Sequence, residues 1–316
     1  MSTQKFLSRI KVSFLFTIFS LTLVNNLCSA EDFTLQELIL PESIKAPNKT
    51  FLWELASDTN RVYILGSIHF AKKEIYPLDQ KIEGAFDKSE VLVVEVDLSQ
   101  KDPLEVQKLF KEAGIYPPGE SLKDNLSTET LQFTREKLKD FNLDIEQLIS
   151  FKPWYLAINL LTYKLLALGY DPNYGIDMYF ENRAKGYKKI LELESIEFQI
   201  NLFNSLTGKQ QDLFLFSTLL DIDILEDKFS EIFKVWSEGD SAGLTEILQR
   251  GLKEHPEVRP IYEKILYERN KNMVSKIENF ATEDVNYFVI VGAAHLVGEE
   301  GIIKLLQEKG YFLQQL

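Results

Sequence analysis

The chain has 316 residues, of which 48 are acidic and 35 are basic, so its net charge is −13. This balance argues against nucleic acid and anionic membrane surfaces as partners, because both need positive potential on the protein. The hydrophobic fraction of 45% is enough for a sizeable core in one domain.

Residues 1–30 are predicted to be a signal peptide, with Ala30 the last residue removed. Basic residues precede an apolar stretch of about thirteen residues, which suits export and is short for a membrane span. Cleavage would remove the single cysteine, Cys28, and three basic residues, leaving 32 basic against 48 acidic residues, a net charge of −16. The mature protein is expected to be periplasmic or secreted, with no disulfide and no stable membrane span. An uncleaved N-terminal anchor is the alternative.

The mature chain, residues 31–316, is expected to fold as one α/β domain. The stretch "FLWELASDTNRVYILGSI" predicts two strands around a polar turn, a hairpin. A helix is expected after Pro77. The β-branched run "EVLVVEVDL", Glu90 to Leu98, predicts the clearest strand.

Helical periodicity then dominates two long segments, about 99–186 and 196–280. Asp102 is placed to cap the first helix and Pro103 to occupy its first turn. Between the segments, "KKILELES" returns to strand character, and the chain closes with strand "NYFVIVGA", a helix and the short strand "YFLQQL". The expected fold is therefore a mixed central sheet built from the N- and C-terminal parts, with a large, mostly helical insertion.

Two apolar strands end in the same Gly-x-x-His sequence. Gly66 precedes His69, and Gly292 precedes His295. Parallel strands deliver their carboxyl ends to one edge of a sheet, where open α/β proteins place their sites. Glycine permits a sharp turn and leaves space beside the strand end. We therefore expect the two histidines to lie close together, whereas His255, in a polar turn, is expected to be incidental.

Carboxylates on neighbouring strands complete a candidate site. Glu95 lies in an apolar strand and is costly there unless a cation, a metal or several donors meet it. One interpretation gives it an ion pair with an arginine or a solvated face, and the other places it beside the histidines. Two histidines and a carboxylate fit a divalent metal with open positions, but the same residues without a metal could perform acid–base chemistry.

In order along the chain, "VYILGSIHF", "EVLVVEVDL", "YGIDMYF", "LELESIEFQ", "ERNKNM" and "YFVIVGAAHL" resemble the TraB/PrgY/GumN family, whose animal relatives include the Tiki proteases. The resemblance implies an α/β fold shared with erythromycin-esterase-like and ChaN-like proteins. It also implies a site in which both histidines and a glutamate converge.

By this resemblance, a divalent metal ion (Mn, Co or Zn) would be held by His69, Glu95 and His295. Glu194 and Arg269 would complete the catalytic set, Glu194 as a base or a residue behind the ligands and Arg269 by stabilising an oxyanion or a substrate carboxylate. Ser67 and Asn270 are predicted to bind substrate.

The function expected on these grounds is that of an exported, metal-dependent peptidase acting on peptide or protein substrates. Two alternatives stay open. One is a non-enzymatic protein that sequesters a peptide, a metal or a haem-like ligand. The other is an esterase-type hydrolase, which the fold relatives suggest.

Overall fold

The structure is a computed structural model that describes residues 49–99 and 101–316. The predicted signal peptide and most of the lead-in that follows it lie outside the described residues. Within the described ranges, no helix is both long and apolar enough to cross a bilayer.

A six-stranded mixed sheet forms the centre of the fold, in the order β4-β3-β5-β2-β1-β6. Strands β2, β5, β3 and β4 run parallel to one another, whereas β1 is antiparallel to both β2 and β6. Strands from both chain ends therefore share one sheet, which confirms the predicted fold class. The strands are β1 (Leu52–Ala56), β2 (Arg61–Ser67), β3 (Val91–Val94), β4 (Lys189–Glu192), β5 (Tyr287–Gly292) and β6 (Leu313–Gln315).

The predicted hairpin is confirmed, with β1 and β2 joined through residues 57–60. Asn60 fixes this turn, because its side-chain nitrogen donates to the carbonyl oxygens of Phe280 at 2.7 Å and Val285 at 2.8 Å. The turn is thereby tied to the segment that leads into β5, and β2 and β5 start level with each other.

Both faces of the sheet are covered, since every residue of β3 and β5 is buried. Strands that are buried on both faces have continuous apolar sequences, without alternation of apolar and polar residues. Phe288 of β5 contacts the rings of Phe86 and Phe180, with centroids 5.5 and 5.0 Å apart. Aromatic contacts of this kind hold helices against the sheet.

Helices fill the two segments predicted to be helical. The first segment is interrupted by short 3₁₀ turns, and "DIEQLIS", which lies within the segment predicted to be helical, forms one of them over Ile145–Leu148. The α-helices are α1 (Gln80–Asp87), α2 (Pro103–Gly114), α3 (Thr128–Leu138), α4 (Pro153–Ala167), α5 (Ile176–Ala184), α6 (Ile196–Asn204), α7 (Gly208–Asp221), α8 (Leu225–Ser237), α9 (Ser241–Glu254), α10 (Arg259–Tyr262), α11 (Glu268–Phe280), α12 (Ala293–Leu296) and α13 (Ile302–Glu308).

Strand β3 is shorter than the predicted run from Glu90 to Leu98. Its pairing with β4 ends at Val94, and its pairing with β5 ends one residue earlier. The prediction that Glu95 lies inside this strand is therefore wrong, because Glu95 is the first residue beyond it. Glu194 likewise follows the end of β4. Both carboxylates reach the carboxyl edge of the sheet, where the chain turns away.

Candidate active site at the carboxyl edge of the sheet

Three predicted site residues come together where parallel strands β2, β3 and β5 end. His69 follows β2, Glu95 follows β3, and His295 lies on the short helix α12 directly after β5. All three side chains are buried, with residue exposures of 5%, 2% and 3% respectively. The common edge follows from the parallel register of the strands, as the sequence predicted.

Gly292 is the residue around which these groups gather. A Cβ atom placed there would lie 3.1 Å from His69 Nε2, 3.5 Å from Glu95 Oε1 and 3.6 Å from His295 Cδ2. The Gly292 N–H also donates to Glu95 Oε1 at 2.7 Å. The glycine of the second motif therefore leaves the space that the two histidines and the glutamate share.

Gly66 has a different structural role, which is to allow close packing against β2. A Cβ there would lie 2.6 Å from a ring carbon of Phe51 and 3.0 Å from the Cα of Ala293. The first glycine thus allows the start of α12 to pack directly against β2, which brings His295 towards His69. The two Gly-x-x-His sequences are parts of one packing arrangement.

The ring of His69 is oriented by Asp177 on α5. His69 Nδ1 lies 2.5 Å from Asp177 Oδ2, and Ser67 Oγ donates to Asp177 Oδ1 at 2.9 Å. Burial lowers the pKa of His69, but the Asp177 carboxylate more than offsets it, so the net direction is upward. Ser67, predicted to bind substrate, here supports Asp177, and it is 2% exposed.

His295 is oriented by Asn270 on α11. Its Nδ1 lies 2.5 Å from Asn270 Oδ1, and Asn270 Nδ2 donates to the Glu300 carbonyl oxygen at 2.7 Å. Because the amide nitrogen is committed to that carbonyl, its oxygen faces the ring and His295 Nδ1 carries the proton. Burial and the nearby Arg269 guanidinium lower the pKa of His295 to about 3, so its Nε2 keeps a free lone pair at neutral pH.

Glu95 is held by Arg269, which matches the ion-pair interpretation of that carboxylate. Arg269 Nη2 donates to Glu95 Oε2 at 2.5 Å and to Glu194 Oε2 at 2.7 Å, while its Nε donates to Glu194 Oε1 at 2.9 Å. Burial raises the pKa of Glu95, but Arg269 and the two histidines hold it well below its usual range. The carboxylate is therefore ionised although it is fully buried.

Arg269 and its two carboxylates are held in position by two further features, which the sequence did not reveal. Gln199 Nε2 donates to Glu194 Oε2 at 3.0 Å and to Glu95 Oε2 at 3.3 Å. A π-helical turn over Glu263–Tyr267 precedes α11, and Arg269 Nη1 donates to the Ile265 carbonyl oxygen within it at 3.0 Å. Such turns recur at functional sites because they change which residues a helix presents.

One turn beyond Asp177 on α5 lies Glu181, a buried carboxyl with a different environment. It is 3% exposed, and its Oε2 has no hydrogen-bond partner among the described residues. Burial, together with the charges of Asp177 and Asp97, raises the pKa of Glu181 to about 8. This carboxyl therefore carries a proton at neutral pH.

Replacing Glu181 by glutamine is expected to stabilise the protein by about 3 kcal/mol at pH 7. Below pH 4.5 the carboxyl is protonated in both states. Between pH 4.5 and 8 the unfolded chain releases that proton and the folded chain keeps it, so wild-type stability falls as the pH rises. Urea unfolding of both proteins from pH 4.5 to 8 measures the difference, which should grow with pH. Glu105→Gln, at an exposed position, should show no such trend, and an equally flat difference for Glu181→Gln would contradict the assignment.

Comparisons with known proteins identify the family of the chain. The model of the TraB/PrgY/gumN family matches residues 51–315. The chain is 26% identical over 247 residues to the uncharacterized protein YbaP of Escherichia coli K12, covering 78% of this chain and 87% of that protein, and YbaP of Shigella flexneri matches equally. An uncharacterized protein of Treponema pallidum is 26% identical over 186 residues, covering 57% of this chain and 54% of that protein. No solved structure matches significantly. Since the family model spans the whole sheet and every residue of the site, the chain belongs to the TraB/PrgY/gumN family.

Proposed function

We propose that the chain is an exported hydrolase that cleaves amide bonds in peptides or proteins. The observation that carries the proposal is the arrangement at Gly292, where His69 Nε2, Glu95 Oε1 and the His295 ring surround one space. Export is proposed from the basic and apolar N-terminal sequence alone.

Each residue has a role that follows from its contacts. Asp177 and Asn270 hold the Nδ1 atoms of the two histidines, so both Nε2 atoms are directed to the shared space. A lone pair on Nε2 can accept a proton from the attacking water. Arg269 keeps Glu95 ionised and in place. Burial of the whole group removes bulk water and strengthens these electrostatic interactions.

The donor types and the histidine tautomers fit a divalent metal ion (Mn²⁺, Co²⁺ or Zn²⁺). Histidines that bind metal through one nitrogen usually donate the other N–H to a carboxylate or carbonyl oxygen, as His69 and His295 do. Among residues 49–99 and 101–316, no three His, Cys, Asp or Glu side chains already stand at ligand spacing. We propose His69, Glu95 and His295 as the ligands, and a bound ion would acidify a water molecule and polarise the scissile carbonyl.

The first experiment is to determine the metal content of the mature protein, purified without chelator, beside that of the His69→Ala/His295→Ala variant. About one equivalent of transition metal, lost in the variant, is expected. If neither protein takes up Mn²⁺, Co²⁺ or Zn²⁺ when these are added, the metal is excluded and acid–base chemistry by the histidines and Glu95 remains.

The second experiment separates the bond types. Peptide amides and matched esters are offered side by side to the wild-type protein and the double variant. Amide cleavage that the double variant lacks is the expected result. Cleavage of esters alone would replace the peptidase proposal by an esterase, and stoichiometric peptide binding without turnover would replace it by a binding protein.

A further inference from the structure

A second concave site lies in the helical part of the chain, among residues that the proposed chemistry does not use. It is a cavity of about 400 Å³ between α3, α7 and the end of α9. Pockets that bind small ligands span roughly 300–1,000 Å³, so this one suits a fragment of about two amino-acid residues.

The floor of this cavity is apolar. Leu213, Phe216 and Leu220 lie on one face of α7, at intervals of three and four residues. The ring of Phe216 is backed by Phe133 of α3, with centroids 5.3 Å apart. The floor is thereby held in place from behind and can receive an apolar side chain.

The rim carries four carboxylates, from Glu129, Asp212, Glu254 and Glu257. Within the described residues, the lining includes no lysine or arginine, and its one basic group is His255, whose Nδ1 lies 3.1 Å from Glu257 Oε1. The carboxyl end of α9 also faces this region and adds negative potential. A cation with an apolar body matches both parts of the cavity.

We propose that this cavity binds a short peptide stretch in which a lysine or arginine stands next to an apolar residue. The apolar side chain would cover the floor on α7, and the cation would be shared by the carboxylates of the rim. Binding itself is independent of catalysis, whereas its use as a recognition site for a substrate rests on the proposed function. Charge complementarity argues for a peptide of this composition, since a free apolar molecule would cover the floor but bring no positive charge to the acidic rim.

The test uses the full chain carrying His69→Ala/His295→Ala, so that no probe is cleaved. N-acetyl-Phe-Lys-amide is titrated calorimetrically and compared with N-acetyl-Phe-Glu-amide and N-acetyl-Phe-norleucine-amide. The lysine probe is expected to bind about ten-fold more tightly than either, with an affinity that falls as salt is added. Because calorimetry measures binding only, the test stays valid even if the protein turns out not to hydrolyse peptides.

Variants locate the site. Glu254→Gln/Glu257→Gln is expected to weaken the lysine probe about five-fold or more. Glu105→Gln/Glu112→Gln removes the same charge from exposed positions of α2 and should leave affinity nearly unchanged. No binding of the lysine probe, equal binding of the norleucine probe, or equal weakening by both double variants would overturn the proposal.

Discussion

Replacing Arg269 by methionine is expected to lower the free energy of unfolding by about 3–5 kcal/mol at pH 7. The guanidinium is 2% exposed and bonds to two carboxylates that are themselves buried. Methionine would remove the guanidinium that Glu95 and Glu194 share, and burial would then raise the pKa of Glu95. Urea unfolding gives the magnitude, and the deficit should shrink at pH 5, where protonation can neutralise the buried Glu95 carboxylate.

Arg61→Met is the matched control for this substitution. Arg61 starts β2 on the same sheet and pairs with Glu54 at 3.1 Å, but its side chain is 44% exposed. Exposed pairs contribute about 0–1 kcal/mol because water screens them and side-chain entropy opposes them. If Arg269→Met cost no more than Arg61→Met, the buried network would not hold the site together.

His69→Ala and His295→Ala are each expected to lower amide hydrolysis by about 10³-fold, within the range found for general acid–base groups. Each substitution removes one Nε2 atom from the space beside Gly292 without removing the partner that oriented it. The measurement is kcat/KM on one peptide that the wild-type protein cleaves. Urea midpoints of the same samples establish that the variants are folded, and full activity in either would remove the catalytic assignment.

Gly292→Ala tests the same space from the backbone. Its methyl group would stand 3.1 Å from His69 Nε2, which is tighter than ordinary contact, so activity should fall although both histidines remain. Gly84→Ala on α1 is the control, because a Cβ there meets nothing within 4 Å and alanine is the better helix former. Equal activity in the two alanine variants would mean that the reaction does not use the space at Gly292.

The fold was predictable to the extent that local sequence determines it. Polar residues 57–60 between two apolar runs gave the hairpin, and Asp102 caps α2 through a hydrogen bond from Leu104 N–H at 2.9 Å. Strand ends were harder to place. The strand-like sequence pattern continues past Val94. Pairing stops where the neighbouring strands stop, and that is a tertiary property.

The site residues also fall into those that the sequence predicted and those that it did not. His69 and His295 stood out because each follows an apolar strand, and strand ends of a parallel sheet share an edge. Glu95 stood out as a carboxylate that was expected to lie inside an apolar strand. Asp177 was missed because it lies on a helix that is 108 residues away in sequence from His69, the side chain it contacts. Gln199 is only five residues from Glu194, but its contact with Glu95 spans 104 residues and does not show in the sequence. Asp177 stands in "YGIDMYF", a stretch that carried the family resemblance, but nothing in that stretch indicates a contact with His69. The burial that gives Glu181 its raised pKa is likewise invisible in sequence.

The strand order also bears on when the candidate site can assemble. Strand β5 lies between β2 and β3, yet it starts at Tyr287 and is synthesised long after both of them. Until β5 is made, β2 and β3 lack the strand that lies between them, and the Gly292–His295 segment does not exist. Contacts between such distant segments form late, because closing the intervening loop is entropically costly. A nascent chain therefore holds His69 and Glu95 without their partner, and its site is assembled only after β5 and α12 have been synthesised.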